Sequence, residues 1–478
     1  MTTAAAPGKR TGERGAGRTT VPRARRTAVR DGVPARVRAG YAVGALASGT
    51  FTTLPGLLLL PYLTDTLGVG AALAGAAVLV PKLWAAALNP VLGGLGDGAA
   101  SRRRLMLYGG AAMALACALM FAGVAHGTAG AWLGEAGFLL AASAFACFQA
   151  PYAALPADLA VRPADRVRLA AGRVAGLGVA ALAVGAVGPA LVSAGGPAAG
   201  YRWAGLFGGA LIAVGTLGVA LATRRPNTTP VSDTVPTRAG DTLRSGVSVS
   251  LRRGLDLVRG DRSFRALLGA GTAQALATGV LLAGVPYAAR QVLGEPAFTG
   301  ALVAAFVVPD LVTARWWVRL GARLGTHRAY ALAGAVFTVG CLGFLVAPVV
   351  PSGFLLAAMA LAGTGHAGQL VFLYGLLPDR LAADAARTGG RDHGVLSGLF
   401  ATGETAGLAL APFAYGLVLA AFGYVSSGTG HAAHQTGAGR LGILVGLALL
   451  PLLATTAATL SLRGSRPPRA GSGTGGRD

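Results

Sequence analysis

The sequence predicts an all-α membrane protein with twelve transmembrane helices. Three observations carry that reading. Of the 478 residues, 53% are hydrophobic and 12% charged. Apolar runs of about 20 residues, the length at which a helix crosses a bilayer core, recur from end to end. The basic residues alternate from one connection to the next. The spans are expected at 39–62, 72–96, 104–126, 132–156, 170–194, 201–223, 264–288, 296–318, 327–349, 352–377, 394–421 and 439–462.

A net charge of +23 raises the possibility of a nucleic-acid partner, but the arginines are neither spread over one surface nor interleaved with aromatics. They concentrate before residue 39, at Arg102 to Arg104, around Arg162 to Arg168, in 224–262, at Arg319 to Arg328, at Arg380 to Arg391 and after 463. The alternate connections hold only Arg202, Arg290 and Arg440. Basic residues near span ends resist translocation, so both termini are expected in the cytoplasm of a cell-membrane protein, as an even number of spans requires. The residues 1–38 read as a disordered basic tail rather than a cleaved signal peptide. Cys117, Cys147 and Cys341 fall within apolar spans and imply no disulfide framework.

The polar segment 224–262 separates 39–223 from 263–462, six spans on each side, with a second tail at 463–478. Duplication is testable on the letters. Span two reads VPKLWAAALNPVLGGLGDGAASRRRL and span eight VPDLVTARWWVRLGARLGTHRAY, both opening on Val-Pro, a charge and Leu and ending in a glycine-rich basic turn. The alignment sets Lys82 opposite Asp310. A charge at bilayer depth is costly and normally faces a cavity or a partner. The two are therefore gating or proton-coupling candidates; the plainer alternatives are a snorkelling Lys82 and an Asp310 paired with Arg315.

Four stretches, PYLTDTLG, LWAAALNPVLGGLGD, PYAALPADLAVRPADRVRLAAGR and LLPDRLAADAARTGGRDHGVLSGLF, give a resemblance. The chain resembles the glycoside-pentoside-hexuronide cation symporters, the melibiose-carrier branch of the major facilitator superfamily, from about residue 40 to 460. The resemblance implies two pseudo-symmetric six-helix bundles rocking about a central site. It also implies a cytoplasmic latch of Asp97 with Arg102 and Arg104, which must be able to separate for transport to proceed; a simple positive-inside turn is the alternative, and it explains the arginines but not Asp97.

The sequence departs from that family where its chemistry is usually carried. Ala85 and Asn89 stand where two acids would bind the coupling cation, and a sodium ion is poorly served by one amide oxygen. Gly49 and Gln149 stand at sugar-binding acids, and Thr405 at a cavity lysine. Arg173 retains the family's arginine at the start of span five. Ionisable groups expected at depth are Lys82, Asp310, Glu404 and His366. Glu404 and His366 each have the alternative of a simple hydrogen bond to a neighbouring helix.

Helical spacing sets Lys82 with Asn89, Gln149 with Tyr152, and His366 with Gln369 on shared faces. With Arg173 they form the expected substrate-binding set; Asp310, Glu404 and Lys82 form the coupling or gating set. Sparse polar groups among Ala, Gly and aromatics suit an amphipathic small molecule. The sequence therefore points to a monomeric secondary transporter in contact with membrane lipid, without cofactor or metal. It is expected to be proton-linked or a uniporter, not sodium-coupled, and to export a metabolite or drug-like compound. Uptake of a sugar or organic anion and lipid flipping stay open as alternatives. An enzyme is not expected, since no acidic pyrophosphate cluster or P-loop is present.

Overall fold

The computed structural model describes residues 33–94, 99–122, 127–159, 163–223, 256, 258–388, 393–427 and 433–463. The expected tails 1–38 and 463–478 and the linker 224–262 fall almost wholly outside the described residues. With no water in a bilayer core to satisfy backbone groups, apolar runs of this length are stable only as helices, and helices are what form.

The first helix, α1, is Ala35–Leu54, prolonged by π-turns at Pro55–Leu59 and Tyr62–Thr66. It is followed by α2 (Ala71–Gly94), α3 (Ala99–Met120) and α4 (Gly127–Leu159). The next helical run, Pro163–Ala222, is broken at Gly196, whose φ of 69° lies in the left-handed region that glycine alone enters without strain. The chain doubles back there, dividing the run into α5 (membrane portion Ala171–Gly196) and α6 (Ala199–Ala222). In the second half come α7 (Arg262–Tyr287, with a π-turn Ala288–Val292), α8 (Phe298–Leu324), α9 (Thr326–Leu342, with a 3-10 turn Gly343–Val349), α10 (Ser352–Thr388), α11 (His393–Ala421) and α12 (Gly437–Arg463). Among the described residues, eleven of these are long and apolar enough to cross a membrane. The remaining one, α3, carries Arg102 to Arg104 within its first two turns, so its apolar run is shorter.

The packing repeats from half to half. In the first, α1 lies against α5 and α6, α4 against α2 and α3, and α3 against α6. In the second, α7 lies against α11 and α12, α10 against α8 and α9, and α9 against α12. These are the same pairings six helices later, so the molecule is two six-helix bundles of one design.

Between the bundles, α2 packs on α11, α5 on α8, and the π-turn end of α1 on α7. Small residues bring the first pair close: a Cβ at Gly75 would sit 2.8 Å from the Pro412 carbonyl oxygen and 2.9 Å from Phe413 Cα. On α5 and α8, Gly185 meets Val303, Gly178 meets Leu311 and Gly300 meets Ala186. Most of these contacts gather at the end of the bundles opposite the termini, here called the far side.

Candidate functional site

On the far side α1 and α7 each end in a charge, and the two charges meet. Arg290 Nη1 donates to Asp65 Oδ2 at 2.7 Å, and Asp65 is 3% exposed. The Tyr424 hydroxyl donates to Asp65 Oδ1 at 2.8 Å, and Thr64 Oγ1 donates to the same oxygen at 3.0 Å. Arg290 Nη2 donates to the Tyr201 hydroxyl at 3.4 Å, and Gln291 Nε2 to Tyr424 at 3.3 Å. Burial, then the Asp65 charge, push the Tyr424 phenol well above its ordinary range, so it stays a donor. Asp65 and Arg290 were not among the residues singled out from sequence. A signal was present: Arg290 is one of three arginines in connections otherwise free of basic residues.

Nearer the termini, each bundle carries polar pairs of its own. From the first bundle, Ser48 Oγ donates to Gln149 Oε1 at 2.7 Å, and the Tyr152 hydroxyl donates to the Tyr41 carbonyl at 2.7 Å. Tyr152 stacks on Tyr41 with ring centroids 4.8 Å apart, and the Arg173 guanidinium lies 5.7 Å over the Tyr152 ring. The Arg173 Nε is buried without a partner. From the second bundle, the Tyr374 hydroxyl donates to Glu404 Oε1 at 2.8 Å. Tyr374 is 49% exposed, so this pair is open on one side. Thus Tyr152 and Arg173 share one cluster with Tyr41, Gln149 pairs with Ser48 on α1, and Glu404 pairs with Tyr374 in the second bundle.

The other expected site residues lie elsewhere. Lys82 is half-buried on α2 and donates to the Leu408 carbonyl of α11 at 3.4 Å. Asp310 of α8 takes His366 of α10 as its partner, Oδ1 to Nδ1 at 2.8 Å, with the Phe306 and Phe337 rings beside the imidazole. Lys82 and Asp310 thus have separate partners. Gln369 is fully buried beside Gly334 of α9, with both amide atoms unpartnered. The side chains of Asn89 and Arg102 and all of Asp97 lie outside the described residues; Arg104 is exposed at the start of α3.

At the positions where the resemblance implies acids, the packing leaves little space. A Cβ at Gly49 would fall 2.6 Å from that of Ala180 and 3.2 Å from the Leu177 backbone. Ala85 is 4% exposed and belongs to the apolar core.

The model of the MFS/sugar transport protein family matches residues 40–463, nearly the whole described chain. The chain belongs to that family. Solved structures share its fold. A bacterial homologue of the human lysosomal transporter Spinster, in an inward-facing and unoccupied conformation, aligns with a TM-score of 0.65 at 14% identity, over 91% of this chain and 98% of that one. The nucleoside transporter NupG aligns at 0.60 with 14% identity, over 89% and 98%. A D-xylose-proton symporter aligns at 0.61 with 13% identity, over 88% and 96%. No curated protein matches the sequence. The transporter is thus a multi-pass membrane protein of the major facilitator fold, and not an enzyme.

Proposed function

We propose that the transporter works by alternating access on a small organic solute held between Arg173 of the first bundle and the Glu404–Tyr374 pair of the second. The observation that carries this is that the two bundles are closed on each other at the far side, while the first offers Arg173 with an unpartnered Nε and the second the partly exposed Glu404–Tyr374 pair. A solute touching both bundles binds differently as they rock, and only such differential contact drives a conformational exchange. The unpartnered Nε of Arg173 favours an acceptor or anionic group on the solute, and the half-exposed ring of Tyr374 favours an apolar body.

Sodium coupling and sugar are disfavoured, because the acids the resemblance would require at 49, 85 and 149 are Gly, Ala and Gln. Coupling to protons, or uniport, and export of an amphipathic metabolite or drug-like compound follow from that loss. The distribution of arginine puts the termini in the cytoplasm, so the closed far side is the outer face and the solute enters from the inside.

Purified protein in vesicles, loaded with a panel of amphipathic anions and subjected in turn to a pH gradient and a sodium gradient, tests this. Flux that follows the pH gradient or the solute's own gradient is expected, with Arg173→Ala raising the apparent KM at least about tenfold. Strict sodium dependence would overturn the coupling assignment. Lipid scrambling with no solute flux would replace the solute by a lipid.

A further inference from the structure

The sequence contains a second internal repeat, and it is built around the far-side ion pair. The end of α1 reads PYLTDTLG from Pro61; the end of α7 reads PYAARQVLG from Pro286. In both, Pro-Tyr is followed by a π-turn, Tyr62–Thr66 in one and Ala288–Val292 in the other. Both then close on a glycine in the left-handed region, Gly68 at φ 74° and Gly294 at φ 73°. The cap bonds correspond as well. Leu67 N–H donates to the Tyr62 carbonyl and Val69 N–H to that of Leu63; Leu293 N–H donates to Ala288 and Glu295 N–H to Ala289. The α7 copy is one residue longer between proline and glycine. Counted from proline, the acid Asp65 and the base Arg290 occupy the same place; counted from the glycine that closes each π-turn, Asp65 falls opposite Gln291, the neighbour of Arg290.

The surroundings follow the same relation. Tyr62 packs on Tyr201, at the α5–α6 reversal; Tyr287 packs on Tyr424, in the α11–α12 connection. Each charge then reaches across to the tyrosine of the opposite bundle: Arg290 to Tyr201 and Asp65 to Tyr424. Reciprocal contacts of this kind are what a two-fold relation produces when the contact lies beside its axis. Here one copy carries the acid and the other the base, so the symmetric meeting is attractive.

We infer that Asp65 and Arg290, with Tyr424 and Tyr201 as their cross-bundle partners, form the latch that closes the far side and must part each time that side opens. Opening removes from Asp65 both Arg290 and Tyr424, leaving it Thr64. The Arg290 side chain is 17% exposed, so water reaches the charges as the bundles separate and the desolvation that would lock a pair at mid-bilayer is relieved. π-turns, which open the helical ring by one residue, recur at functional positions in helices, and here one stands beside each charge. The inference rests on the alternating-access reading but needs no knowledge of the solute, so its test is separable from that of the transport assignment.

Thr299 of α8 lines the small pocket beside the latch together with Tyr201, Arg290, Ser193 and Pro189, and is 2% exposed. Thr299→Cys in the purified full-length chain, labelled with a charged maleimide, reports far-side opening; the same chain without that substitution gives the background from Cys117, Cys147 and Cys341. Asp65→Asn and Arg290→Gln are each expected to raise the labelling rate at least about tenfold. The double variant is expected to label no faster than the faster single, and Asp65→Arg with Arg290→Asp to label more slowly than either of its component singles. Tyr424→Phe removes one hydroxyl with little risk to folding and is expected to raise the rate by a smaller factor. Labelling at the parent rate in both neutralised variants, or no recovery in the exchanged pair, overturns the latch. If the charge variants do not fold, an unchanged rate in Tyr424→Phe overturns it alone.

Discussion

Two pairs of opposite charges occupy matching places in the two bundles, and only one pair meets. Lys82 and Asp310 stand at equivalent points of α2 and α8, each after Val-Pro; Asp65 and Arg290 stand at equivalent points of α1 and α7, each after Pro-Tyr. The first two take different partners, a carbonyl of α11 and a histidine of α10. The second two form an ion pair at 2.7 Å. The difference is one of packing. Helix α2 lies on α11 and α8 on α5, so equivalent residues on α2 and α8 are held apart, whereas the ends of α1 and α7 touch. In a duplicated molecule, equivalence in sequence becomes contact only beside the pseudo-two-fold axis.

The largest effect is expected where that contact is turned repulsive. Asp65→Arg places a second guanidinium against Arg290 and strands the Tyr424 hydroxyl, and a loss of about 3–5 kcal/mol is expected for disrupting a buried pair of this kind. Thermal denaturation in detergent reads it, and the exchanged pair should recover most of the loss. A smaller and different effect is expected at Asp310. Its contact with His366 joins α8 to α10 inside one bundle, so nothing in the transport cycle has to break it. Asp310→Ala should cost about 2–3 kcal/mol as the imidazole loses its carboxylate, while the accessibility of a cysteine at 299 stays at the parent level. Faster labelling in that variant would mean that the within-bundle pair also controls the far side, and the contrast between the two pairs would fail.

The twelve helices were legible because a bilayer leaves the backbone no alternative, and the expected fifth and sixth spans, 170–194 and 201–223, differ from Ala171–Gly196 and Ala199–Ala222 by a few residues. For the expected site residues the structure gives local partners: Gln149 bonds Ser48, Tyr152 stacks on Tyr41 beneath the Arg173 guanidinium, and Glu404 takes the Tyr374 hydroxyl. What sequence spacing does not carry is the crossing of helices. His366 and Gln369 are three residues apart on α10, yet one meets α8 and the other packs beside α9. Asp65 was in plain view inside PYLTDTLG, and its role became readable only when α7 brought Arg290 to it. The copy PYAARQVLG was the available clue, and a basic residue in an otherwise uncharged connection was the second.

Lys82 offers the smallest and most discriminating test. Its acceptor, the Leu408 carbonyl, lies four residues before Pro412 in α11, and proline has no N–H to close the helical bond that carbonyl would otherwise receive. In an apolar bilayer span a freed carbonyl needs a donor from a neighbouring helix, and the ammonium of α2 supplies one. Lys82→Met keeps the stem's volume and removes the donor, so a loss of about 1–2 kcal/mol is expected from the unpaired carbonyl. Pro412→Ala restores an N–H to α11; in that background the cost of Lys82→Met should shrink toward zero, because the carbonyl is then satisfied within its own helix. Flux measured on the same variants separates the alternatives. If Lys82 serves the α2–α11 contact, the Lys82→Met, Pro412→Ala double variant transports with the parent's pH profile. If the lysine carries a proton or binds solute, flux falls and its pH profile changes even where the stability loss has been repaired, and Lys82 then belongs with Arg173 and Glu404 rather than with the scaffold.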